Sequence, residues 1–178
     1  MSRIVVPNFK HYKASSSVAS TLMARNRPGG GVAERMLRQK VHQRGLRFVV
    51  HARSLVGRPD LVFTRARVAV FCDGDFWHGR RWTTLRRQLS SRANPDYWIA
   101  KIGRNRQRDA ATNRALAMDG WTVFRLWETD VLKDPVLAAD AVQKVVFACQ
   151  SRFECGNPRK GTQSQVLVDG ITRWTVSR

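Results

Sequence analysis

Residues 67–79 read RVAVFCDGDFWHG, and the reading of this stretch decides the fold. From Val68 to Cys72 it is an unbroken apolar run, which is what a strand covered on both faces requires. Directly beyond the run come Asp73, Asp75, the aromatic pair Phe76 and Trp77, and His78. A buried strand that ends this way delivers carboxylates, an imidazole and two large rings to one place.

The neighbouring segments build a layered fold around that strand. Upstream, "LVF" (61–63) and the short link "TRAR" predict an antiparallel hairpin partner, entered through the turn "GRPD" (57–60). "LRFVVH" (46–51) predicts a strand before it. Val32, Met36, Leu37 and Val41 recur at helical spacing and Gly45 stands where a helix would stop, which predicts a helix over Val32–Arg44. Downstream, Trp98, Ile102 and Leu116 share a stripe of a helix over Pro95–Met118, ended by Asp119-Gly120. "WTVFRLW" (121–127) predicts a further strand, and "DPVLAADAVQKVVFA" (134–148) a closing helix with proline near its start.

The domain organisation expected is a flexible basic arm over 1–20, one catalytic domain over 21–150, and an extension over 151–178 in which "SQVLVDG" and "ITRWTV" form a late hairpin. Lys and Arg number 32 against 13 acidic residues, a formal net charge of +19 spread along 178 residues. Such a field attracts polyanions, because each neutralised phosphate releases counterions; DNA or RNA is the leading partner class. Three cysteines without a CxxC pair argue against a disulfide framework or a four-cysteine zinc site. The absence of a long apolar run argues against a membrane partner and for a cytoplasmic, nucleoid-associated protein.

The order helix, three strands, helix, strand, helix resembles that of metal-dependent nucleases. The expected fold class is therefore α/β with a restriction-endonuclease-like, PD-(D/E)XK core: a central mixed β-sheet flanked by helices. Asp60 at a strand entry is a hard oxygen donor suited to Mg2+, and the main chain near Cys72 or Asp73 can add a carbonyl. Asp73 is a second carboxylate candidate and equally a turn residue before Gly74. A neutral His78 can take a proton from an attacking water. Glu34 lies early in the first helix, and Asp109 shares an inward face with Asn105 and Ile102; both carboxylates are candidates for a role at the site or for a salt bridge to arginine.

Several separated segments then coincide with a known family. "GRPD" (57–60), the strand ending in F-x-x-G-x-F-W-H (71–78), "YWIAKIGRNRQRD" (97–109), "GWTVFRLWE" (120–128), and Met23 with Glu34 eleven positions on together resemble the very short patch repair endonucleases over about residues 20–130. The resemblance implies a Mg2+-dependent single-strand nick 5' to the thymine of a T·G mismatch, the lesion left by deamination of 5-methylcytosine. It implies Asp60 as the magnesium-binding aspartate, the Cys72 main-chain carbonyl as a further ligand, and His78 as the water-activating histidine with Glu34 and Asp109 as its supporting acids. Met23, Phe76 and Trp77 match residues that wedge between base pairs at the mismatch. Unstacking costs about a few kcal/mol per step, and a mismatched step is cheaper to open.

Two departures stand out. Asp75, Arg80, Trp82 and Thr129 occupy the approximate positions of the family's zinc ligands, so no structural zinc is expected, and Asp75 with Arg80 and packing of Trp82 is expected to hold the loop instead. Asp73 replaces a second active-site histidine. The expected partner is double-stranded DNA carrying a T·G mismatch, with repair proteins or a cytosine methyltransferase as candidate protein partners. A sequence-specific or modification-dependent nuclease of host defence and a non-catalytic DNA-binding module are the competing readings.

Overall fold

The computed structural model describes residues 30–154 and 175–177. Met23 and the 1–20 arm lie outside the described residues, as does "SQVLVDG". In chain order the elements are α1 (Val32–Gln43), β1 (Leu61–Phe63), β2 (Val68–Asp73), α2 (Trp82–Leu89), α3 (Pro95–Met118), β3 (Thr122–Trp127), α4 (Glu128–Lys133), α5 (Pro135–Glu154) and β4 (Thr175–Ser177). The sheet runs β1-β2-β3-β4. Its outer pairs are antiparallel and β2/β3 is parallel, with Phe71 opposite Arg125 and Asp73 opposite Trp127. This is a mixed sheet within an α/β fold. Among the described residues no helix is long and apolar enough to cross a membrane.

The period-two alternation of strands sorts side chains onto two faces. Val68, Val70, Phe124 and Leu126 join the core under α1 and α5, where Leu37, Val41 and Val142 are fully buried. Ala69, Phe71 and Val123 face the other way, toward Leu116 and Trp121 at the end of α3. With both faces covered, the uninterrupted apolar run of β2 is explained. Asp73 and Arg125 continue the α3-facing series, which brings two charged side chains into a layer otherwise filled by carbon.

The expected strand over 46–51 is reduced to one bridge, in which Val49 and Val62 exchange backbone hydrogen bonds of 2.9 and 2.8 Å. Val49 and Val50 are exposed, and the backbone turns left-handed at His51, so nothing extends the pairing. Arg44 and Gly45 end α1 as the glycine predicts, with Gly45 at φ 75°. Two helices were not expected from the sequence: α2, inserted after His78, and the single-turn α4 after β3. At the far end, Thr175–Ser177 pair antiparallel with β3, so part of "ITRWTV" joins the main sheet.

A polar clamp holds the segment after β2. Arg80 donates to Asp75 at 2.9 Å and to both oxygens of Asp130 at 2.7 and 3.0 Å, while Thr129 donates to Asp75 through its amide (3.0 Å) and hydroxyl (2.6 Å). The Arg80 guanidinium also lies 5.7 Å from the Trp127 ring centroid. The expected loop support by Asp75 and Arg80 is thus joined by Thr129 and Asp130. Trp82 stands apart from these hydrogen bonds and receives Arg106 over its ring at 5.3 Å. Arg80→Ala leaves two carboxylates in a partly buried pocket without their cation. Urea denaturation is expected to show a loss of about 2 kcal/mol, since hydrogen bonds to charged groups contribute roughly 1.5–3 kcal/mol each and these are partly solvated.

Candidate active site

Asp60 enters the site from the turn that precedes β1. Pro59 is buried and Arg58 adopts a left-handed φ of 52°, so the chain swings inward, and the Asp60 amide donates to Val70 at 2.9 Å. Its Oδ2 accepts the Cys72 amide proton at 2.7 Å, which sets the carboxylate against the backbone of β2. Burial pushes the Asp60 carboxyl above its usual pKa; the Cys72 hydrogen bond opposes that shift and the Asp73 charge adds to it. Among the described residues no cation forms an ion pair with Asp60, although Arg38 and His51 act on it from a distance. The Cys72 thiol is held protonated, first by burial and then by the charges of Asp60 and Asp73, so this residue has a backbone to offer rather than a nucleophile.

His78 follows a compact turn in which its amide donates to Gly74 at 3.1 Å. Its Nδ1 lies 2.6 Å from Asp109 Oδ2 on α3 and 3.5 Å from Asp73 Oδ1 at the end of β2. A ring nitrogen facing two carboxylates carries a proton, so in the neutral imidazole the lone pair sits on Nε2. Burial raises the Asp109 pKa, but the His78 hydrogen bond and the Arg125 charge bring it below the usual carboxylate range. The helical stripe read from the sequence operates as expected on α3: Ile102 is fully buried, Asn105 donates to the Trp77 carbonyl at 2.9 Å, and Asp109 reaches His78. Asp60, Cys72, Asp73, His78 and Asp109 all line one cleft of ≈ 470 Å³.

Glu34 is placed differently from expectation. It is buried and ion-paired to Arg38, with His51 Nε2 3.6 Å away, and makes no ion pair with His78. Glu34, His51 and Asp60 offer ligand atoms within 4.8 Å of one another, so this acid belongs to the Asp60 end of the site. Asp73 is also engaged otherwise than as a free carboxylate. Arg125 Nε donates to its Oδ2 at 2.5 Å and Nη2 to its Oδ1 at 2.6 Å. Burial works against the Arg125 charge, yet the hydrogen bonds and charges of Asp73, Asp109 and Asp60 hold its pKa above the usual arginine value. Sequence reasoning passed over Arg125, Arg38 and His51; the signal for Arg125 was an arginine within the apolar run "WTVFRLW".

Phe76 and Trp77 are half-buried rather than fully presented to solvent. Because β2 ends at Asp73, the rule that consecutive strand residues face opposite ways does not apply to them. Both rings gather on Trp98 of α3, with centroids at 5.5 and 5.9 Å, and on each other at 5.2 Å. Lys101 lies 5.3 Å from the Trp77 ring and 5.6 Å from that of Trp98.

The donor chemistry at Asp60 fits a hard divalent cation: a part-buried carboxylate with no ion-pair partner among the described residues, and Glu34 and His51 offering ligand atoms within 4.8 Å. The sign of the pH linkage follows. A carboxyl whose folded pKa is raised keeps a proton that the unfolded chain has lost, so the folded state loses stability as pH climbs from the ordinary carboxylate value through the raised one. That cost is complete once the carboxyl is ionised in the metal-free folded protein. Metal-free Asp60→Asn protein is therefore expected to melt about 2–4 °C above wild type, equivalent to roughly 1 kcal/mol, and millimolar Mg2+ is expected to raise the melting temperature of wild type only.

Comparison with known proteins gives the family. The family described as DNA mismatch endonuclease Vsr matches residues 11–84. The chain is 38% identical over 126 residues to the type II nicking enzyme V.HpaIIP of Haemophilus parainfluenzae, covering 71% of this chain and 88% of that protein. It is 38% identical over 124 residues to the type II nicking enzyme V.NmeDIP of Neisseria meningitidis serogroup C, covering 70% and 82%. The DNA mismatch endonuclease Vsr of Escherichia coli K12 is 29% identical over 138 residues, covering 78% and 82%. A part-buried carboxylate and a histidine–aspartate pair line one cleft, and by its likeness to these proteins the chain belongs to the Vsr family of DNA endonucleases.

Proposed function

We propose that the protein is a Mg2+-dependent endonuclease of PD-(D/E)XK type that nicks one strand 5' to the thymine of a T·G mismatch in very short patch repair. The observation that carries the reading is the convergence of Asp60, His78 and Asp109 on one cleft. Asp109 orients His78 through Nδ1, and Nε2 takes a proton from the attacking water. Water oxygen bonds to phosphorus, the P–O3' bond breaks, and the leaving oxygen takes a proton from solvent water to become a 3' hydroxyl. Asp60 and the Cys72 carbonyl are the proposed Mg2+ ligands, and the cation, when bound, offsets charge on the phosphate and the leaving oxygen. Glu34 acts at the Asp60 end of the site. Asp73 contributes as a partner of Arg125.

The aromatic group beside His78 supports the mismatch part of the reading. Phe76 and Trp77 adjoin the histidine in sequence and lean on Trp98, so rings that enter an unstacked step rest on a helix that also carries Asp109. Met23 is the proposed third wedge. The exposed arginines of α3, Arg104, Arg106, Arg108 and Arg114, give the same helix a positive outer face for phosphates. The proposed setting is the cytoplasm at the nucleoid, with repair proteins or a cytosine methyltransferase as further partners. The replacement of zinc ligands by the Arg80 clamp favours, as a second reading, a defence nuclease acting on matched or methylated DNA.

End-labelled duplexes differing at one central pair (T·G, C·G or methylated C·G), in several flanking contexts with Mg2+, separate these readings. A nick confined to T·G is expected, and His78→Ala is expected to slow it by about 10²–10⁴-fold with DNA binding retained. Cutting of matched or methylated duplexes would assign the protein to defence, and binding with no cut would make it a non-catalytic module. In the same assay Phe76→Ala or Trp77→Ala is expected to reduce the preference for T·G over C·G about tenfold while general affinity moves less than about threefold; equal loss on both duplexes would remove the wedge. Elemental analysis of the purified protein is expected to find zinc well below one atom per chain.

A further inference from the structure

Arg125 occupies a position that the apolar pattern of β3 reserves for a core residue. Its neighbours on the same sheet face are Val123 and, across the parallel ladder, Phe71, whose ring centroid lies 4.4 Å from the guanidinium carbon. The side chain is only 12% exposed. Its nitrogens reach two other elements: Nε and Nη2 hold Asp73 of β2, while on α3 Nη1 donates to Asn113 Oδ1 at 3.0 Å and Nη2 lies 3.3 Å from Asp109 Oδ1.

Those contacts bear directly on His78. Two carboxylates, Asp109 Oδ2 at 2.6 Å and Asp73 Oδ1 at 3.5 Å, face its one Nδ1 proton. With Asp73 held at both oxygens by the flat fork of a guanidinium, Asp109 is left as the short acceptor, and its other oxygen is drawn toward the same arginine. A carboxylate placed where the resembling family has a histidine adds negative charge beside Asp109 and Asp60; the arginine compensates it within the protein.

We propose that Arg125 is a positioning residue of the endonuclease, matched to Asp73, which fixes Asp109 as the partner of His78 Nδ1 and so keeps Nε2 as the nitrogen available to water. The proposal rests on the reading of His78 as the water-activating base. Arg125 does not touch the phosphate or the attacking water in this role. Its effect passes through Asp73 and Asp109.

The test uses Arg125→Met, Arg125→Lys, Asp73→Asn and the double variant Asp73→Asn/Arg125→Met in the full chain, with His78→Ala as control. The readouts are single-turnover nicking of the duplex cut fastest by wild type, affinity for the same duplex with Ca2+ in place of Mg2+, melting temperature, and the 15N-edited imidazole signals of His78. Arg125→Met is expected to nick about 100-fold more slowly, the loss that a displacement of about 1 Å produces at a reacting group, with affinity within about threefold of wild type. Its His78 Nδ1 proton signal is expected to disappear through fast exchange. The double variant is expected to recover about tenfold in rate and to regain the signal, because removing the Asp73 charge removes the competitor that Arg125 restrained.

Losses that simply multiply in the double variant would overturn the proposal, as would Arg125→Met with near wild-type nicking and an intact Nδ1 signal. If Arg125→Met fails to fold, Arg125→Lys decides: a folded lysine variant that nicks at the wild-type rate refutes the need for the fork, and one slowed about tenfold or more upholds it. The control keeps the two readings separate. If His78→Ala nicks as fast as wild type, the base assignment fails, while the His78 signal in the Arg125 variants still decides whether Arg125 positions the ring.

Discussion

The bidentate pair between Asp73 and Arg125 is the contact on which the rest of the site depends. It joins β2 to β3 where the parallel ladder ends, on the face covered by α3, and both partners are largely withdrawn from water. Burying either charge alone would cost several kcal/mol, so each is tolerable there only because of the other. The arrangement is closed by Asn113 and Asp109, which occupy remaining donors of the guanidinium. A layer that would otherwise be hydrocarbon thus carries a compensated polar link from the sheet to the helix bearing Asp109, and through it to His78.

The chain beyond β2 must then hold a tight turn without a large core of its own. The Arg80 clamp to Asp75, Asp130 and Thr129 ties that turn to α4, and Asn105 ties the Trp77 carbonyl to α3. Phe76, Trp77 and Trp98 add ring contacts on the same helix. The result is a segment in which the histidine and the aromatic rings share supports, which couples the opening of a base step to the position of the cut in the proposed mechanism.

Much of the architecture was readable because period and punctuation agreed. The apolar run of β2, the hairpin with β1, the span of α3 from Pro95 and the stop of α1 at Gly45 each have a local physical cause. The failures also have causes. "LRFVVH" has strand composition, but a partner for it exists at Val49 alone, and strand propensity without pairing does not make a strand. The helix α2 is short, basic and nearly without buried residues, Leu89 excepted, so no periodic apolar signal announced it. Strand β4 takes up the end of the expected strand "ITRWTV" but pairs with β3, while its expected partner "SQVLVDG" lies outside the described residues.

For the site, spacing alone placed Asp109, Asn105 and Ile102 on one helical face, and the strand end placed Asp73 and His78 together. The sequence also set the charge that draws the protein to DNA, since that depends on composition and not on fold. Only the tertiary structure decided which carboxylate meets which cation. Asp73 went to Arg125 and Asp109 to His78, while Glu34, already paired to Arg38 along α1, was set at the Asp60 end. Local sequence cannot choose the partners of Asp73 and Asp109, because those lie on different elements and Coulombic preference is nearly the same for every Asp–Arg pair; Glu34–Arg38 alone is local, at i,i+4 on α1. The choice falls to sheet register and helix packing, which set distances to within an ångström.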